Sequence, residues 1–97
     1  MSAHHATPEE IAAAETLAQS LDRAFHADMD ITAAPRKWNE PTPKQLALMF
    51  AERACRGWMG VAMDGHTVRG TLREMIEREA KSLHARFGFD PFVEVLA

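Results

Sequence analysis

Tyrosine is absent from this 97-residue sequence, cysteine occurs once, and no apolar run is long. Each shortage excludes something. Without tyrosine there is no phenol to act as acid or base. The lone Cys55 rules out an internal disulfide framework and a cysteine-rich zinc site, and it fits a reducing compartment. No stretch reaches the ~18–20 apolar residues of a membrane span. The opening MSAHHATPEE has neither the basic flank nor the apolar run of a secretory signal. The expectation is a cytoplasmic protein with no membrane association. A glycine-rich phosphate loop, G-x-S-x-G, H-E-x-x-H, Cys-x-x-Cys and internal repeats are also missing. The sequence therefore predicts no enzyme, no catalytic residues, no cofactor and no metal site. His26, His66 and His84 are scattered, and His84, beside an apolar stripe, reads as a half-buried structural residue.

The composition that remains is ordinary for a globular chain, 46% hydrophobic and 26% charged, and predicts a single domain over residues 1–97. Residues 1–6 read as a disordered leader, and the His4–His5 pair alone makes a poor metal site. The most apolar segment is 42–63, TPKQLALMFAERACRGWMGVAM, where only Glu52, Arg53 and Arg56 are charged after Leu46. Thr42 as N-cap, Pro43 at the first position and Gln45 closing a capping box start a helix there. One side carries Leu46, Met49, Phe50, Ala54, Gly57 and Val61. A second, small-residue side carries Ala47, Ala51, Ala54 and Trp58. Two apolar sides imply two neighbours, so this helix is expected at the centre.

Thr7, Pro8 and Glu10 repeat the same start, and Ile11, Ala14, Ala18, Leu21 and Phe25 form an apolar stripe behind it. Residues 31–41, with two prolines and no helical period, form a connector holding Trp38, either a lid on the core or an anchor for a partner. Around Asp64-Gly65 the chain reads either as a helix end or as a hairpin over 61–68, and the helix end is preferred, with Gly65 supplying a positive φ. A last helix opens on a capping box of Thr71 and Glu74, or one turn earlier at Thr67, and carries Val68, Leu72, Met75, Ile76, Ala80, Leu83 and Phe87 on one side, with Glu74–Arg78 and Glu77–Lys81 as i, i+4 pairs on the other. Gly88 and Asp90-Pro91 stop it, and an apolar tail follows. The fold expected is all-α, a small bundle of three main helices at about 8–28, 43–62 and 68–87, with a short docked C-terminal tail.

Charge divides the chain. Residues 1–30 hold six acids against Arg23, while residues 44–87 hold eight bases against five acids. The surplus of apolar surface on the central helix predicts a regulatory or adaptor-like interaction protein, working as a homodimer or on another protein, with Trp38, Trp58, Ala47 and Ala51 at the interface. The alternative is a nucleic-acid accessory protein using Arg69, Arg73, Arg78, Lys81 and Arg86 against phosphates. Interleaved acids and a sequence pI near 5.9 weigh against nucleic acid.

Overall fold

The computed structural model of the chain describes residues 3–30 and 41–96, with the side chains of 28–30 apart. Four helices follow in order: α1 (Pro8–Asp30), α2 (Pro43–Met63), α3 (Leu72–Phe87) and the six-residue α4 (Pro91–Leu96). The fold is the all-α bundle read from the sequence, and the tail docks as a helical turn.

The helix starts are set by short-range polar chemistry. Thr42 and Thr71 each accept the backbone N–H three residues on, from Gln45 and Glu74, and those side chains bond back to the cap residue's own N–H. Thr7 and Glu10 do the same for α1, at 3.1 and 3.2 Å. Each box satisfies two of the donors that a helix start leaves orphaned. Gly65 (φ 83°) follows the end of α2, and Gly88 (φ 69°) closes α3, two places where a side chain on the Cα would strain the backbone. The break at 64–66 is thus a helix end.

α3 begins at Leu72, four residues later than the period of apolar residues suggested. Val68 is committed elsewhere: its N–H and C=O both pair with His4, at 2.8 and 2.9 Å, in an isolated antiparallel bridge. A residue with both backbone groups so used cannot open a helix. Within the leader expected to be disordered over 1–6, His4 is therefore tied down and Ala6 packs on the core.

Contacts at the two ends fix the topology. At one end the start of α1 meets the start of α3, Glu10 accepting the Leu72 N–H at 3.1 Å, and Trp58 near the end of α2 donates to the Gly70 carbonyl at 3.1 Å. At the other end Lys44, in the first turn of α2, bonds Glu94 of α4 at 3.2 Å. The three main helices run up, down, up, with α2 in the middle and α4 touching all three. The α1–α2 pairing is the most extensive of these contacts.

The buried face of α2 is Ala47, Leu48, Ala51, Cys55 and Trp58. The Leu46, Met49, Phe50 and Gly57 side is its rim. Leu48 and Cys55 lie between the two predicted stripes and are fully buried. Of the seven apolar residues expected to form the core, Leu21, Leu72 and Leu83 are buried, Phe25, Phe50 and Ile76 pack against the core half-exposed, and Leu46 stays on the rim outside the core cluster.

Candidate functional site

Three of the four predicted interface residues are not on the surface. Ala47 and Ala51 are fully buried and Trp58 is 8% exposed, all three inside the chain's own core. Small side chains drew α1 and α2 together, so the face that looked free is filled from within. Trp38 lies outside the described residues.

The alternative face fares differently. Arg69, Arg73, Arg78, Lys81 and Arg86 are all exposed. None of them is in an ion pair among the described residues, and the expected Glu74–Arg78 and Glu77–Lys81 pairs do not close. Glu74 is turned toward Thr71 in the capping box instead. The five cations do not share a stripe. At 3.6 residues per turn, Arg73 and Arg86 point roughly 140° apart around α3. Arg86 leaves the others altogether, its guanidinium 4.9 Å from the Phe87 ring and 5.1 Å from the Phe50 ring. Those rings stack at 5.8 Å, with Arg53 on Phe50 at 5.9 Å and Lys44 over Phe89 at 5.6 Å. This aromatic and cationic strip joins α2 to α3 where the apolar contact is thin, each pair contributing about 0.5–1 kcal/mol at exposed sites.

The titratable groups hold structure. Glu10 gathers three donors: His4 Nε2 lies 2.6 Å from its Oε1, which also accepts the Thr7 N–H, and its Oε2 accepts the Leu72 N–H. Burial pushes its carboxyl up, but the hydrogen bonds from His4, Leu72 and Thr7 outweigh that and hold it below the ordinary glutamate range. One carboxylate thus caps the starts of two helices and pins the N-terminal segment. His26 Nδ1 sits 2.8 Å from the Asp22 carbonyl, whereas His66 and His84 are exposed, so His84 is not the half-buried residue expected. Burial first, then the fields of Glu52 and Glu79, pushes the Cys55 thiol up to about 12, which leaves it without thiolate reactivity. Among the described residues no cluster of three or more metal-ligating side chains forms, and no helix is long and apolar enough to cross a membrane.

What sequence reasoning missed lies beside α4. Its inner residues Pro91 and Phe92 are buried, Phe92 at 2% exposure, while Val93 and Leu96 on its outer side are 66% and 58% exposed. With Ile76, Glu77, Ala80 and Asp90 they line a groove of about 390 Å³ between α3 and α4. The signal was present in the tail's alternation of apolar residues, FVEVL, but which of them anchors and which faces out depends on the helical turn that forms after Pro91. Comparison with protein-family models, with curated proteins and with solved structures finds no match to this chain.

Proposed function

We infer that this chain is a small non-enzymatic interaction protein of regulatory or adaptor type, working through the α3–α4 groove as a homodimer. The observation that carries the reading is α4 itself. Buried Pro91 and Phe92 hold it in place, so Val93 and Leu96 are presented to solvent on a fixed frame beside half-exposed Ile76 and Ala80. Contiguous apolar surface held rigidly in water is costly to leave uncovered, and a two-fold interface covers it on two copies at once. The absence of catalytic motifs supports a role exercised by surface rather than by chemistry.

Light scattering at micromolar concentration should give a mass near twice 10.8 kDa. Leu96→Glu combined with Val93→Asp should return it to one chain without lowering the melting temperature. A single-chain mass at every concentration overturns the dimer.

The nucleic-acid reading keeps one observation in its favour: Arg69, Arg73, Arg78 and Lys81 are exposed and in no ion pair among the described residues. Their spread around α3 opposes it. A duplex-DNA titration at low salt, the most generous condition for phosphate contacts, should show no micromolar binding. Binding lost on Arg73→Ala would promote this reading over the first.

A further inference from the structure

A second groove, sharing no residue with the first, lies between α2 and the start of α3 and measures about 350 Å³. Its lining includes Trp58, Val68 and Met75, all buried, with Ala54 and the 44% exposed Val61 beside them. The Trp58 indole N–H is already committed to the Gly70 carbonyl, so the ring offers an apolar face and no donor. Gly57 leaves the α2 wall without a side chain, and nothing lies within 4 Å of where its Cβ would stand. Arg69 and Arg78 also line the groove, both exposed and neither in an ion pair among the described residues, and Glu79 is the one acid with them.

An apolar floor beneath a rim of charge +1 complements a molecule with an apolar tail and a single negative head. The guanidinium fork matches a carboxylate in shape as well as in charge. The volume stands near the lower bound for ligand pockets, ~300 Å³, which excludes a long tail and leaves room for one of medium length. We propose that this groove binds a small amphiphilic carboxylate, a medium-length aliphatic chain ending in one free carboxyl. The site uses neither α4 nor a second copy of the chain, so it stands whether or not the chain dimerises.

The test is a calorimetric titration of octanoate into the unmodified full chain at low salt, with octanol as the uncharged counterpart. For a ligand of about ten heavy atoms in an open groove, a Kd of roughly 0.1–1 mM is expected. Octanol should bind about five- to tenfold more weakly, and Arg69→Gln with Arg78→Gln should bring octanoate down to the octanol value. Gly57→Leu fills the wall and should abolish binding of both. Because leucine is a far better helix former than glycine, that variant should melt at a higher temperature than the parent, which separates a blocked groove from a lost fold. No saturable heat at millimolar octanoate, equal binding of octanol, or unchanged binding by Gly57→Leu would each overturn the proposal.

Discussion

Along the α1–α2 seam, Ala14, Ala18, Leu21, Ala47, Leu48, Ala51 and Cys55 expose no surface at all, whereas on α3 only Leu72, Met75 and Leu83 are buried and Ile76, Ala80 and Phe87 stay half-exposed. Alanines on the seam let two helix backbones approach and leave no room for anything else. The flank uses larger side chains at shallower depth and is held by polar hooks: the Glu10 carboxylate on Leu72, the Trp58 indole on Gly70, and Lys44 on Glu94. Burial of apolar area is the dominant favourable contribution to folding, so the seam should carry most of the stability. The flank keeps surface to spare, and both grooves lie there.

The sharpest way to break that comparison is to shorten one side chain on each side of it. Leu21→Ala should cost about 2–5 kcal/mol in urea melts, because a fully enclosed leucine leaves a cavity that close-packed neighbours cannot fill. Ile76→Ala, measured in the single-chain Val93→Asp, Leu96→Glu background so that no second copy covers the groove, should cost only about 1 kcal/mol, since Ile76 then lines an open α3–α4 groove and water replaces the lost atoms. Equal losses would mean that the flank is as much core as the seam.

Enlarging the seam tests its tightness. Ala51→Leu raises helix propensity slightly, yet at a site with no exposed surface it should destabilise by about 1–3 kcal/mol, through forced rotamers and separation of the helices. The same change at Ala80, half-exposed on α3, should be close to neutral in the single-chain background.

The hooks come next. Replacing Glu10 by Gln should cost about 1–2 kcal/mol at pH 7, because the charge-assisted bonds to the Leu72 and Thr7 N–H groups and to His4 are weakened together. The pH dependence gives a second signature. Glu10 has a folded-state pKa below its unfolded value, so its contribution is complete above the ordinary glutamate range and is lost as pH falls through the depressed folded value. The gap between parent and variant should therefore narrow as melts are taken from pH 7 toward pH 3. A gap that stays constant would show that Glu10 acts by shape alone.

How much of this was legible in advance follows from the range of the interactions involved. The capping boxes at Thr7, Thr42 and Thr71 join residues three apart, and each marks the start of its helix in the sequence itself. α3 was set too early because the apolar period runs back to Val68, while the pairing that removes Val68 from the helix comes from His4, 64 positions away in sequence. Ala47, Ala51 and Trp58 failed as interface residues for a related reason. A small-residue face on α2 says that some backbone comes close, but not whether it belongs to the same chain. Alanines on α1 supplied the answer, and their register against Ala47 and Ala51 is a tertiary fact. The grooves could not be read at all, since each is made by residues from separate segments.

The smallest effect expected is at the Lys44–Glu94 pair, and it bears on what holds α4 in place. The bond is 3.2 Å long, but the two side chains are 39% and 43% exposed, so water and salt screen it and ordering two long side chains offsets much of the gain. Lys44 also lies 5.6 Å from the Phe89 ring, so its ammonium keeps a favourable neighbour when the carboxylate is removed. Anchorage of α4 instead comes from Phe92, at 2% exposure within the core cluster. Glu94→Gln should therefore change stability by less than about 0.5 kcal/mol and leave hydrogen-exchange protection of residues 91–96 as it is in the parent. A loss above ~1.5 kcal/mol, or selective deprotection of those residues, would show that the ion pair rather than Phe92 fixes α4. The outward presentation of Val93 and Leu96 would then depend on ionic strength, and a dimer built on them should dissociate as salt is raised.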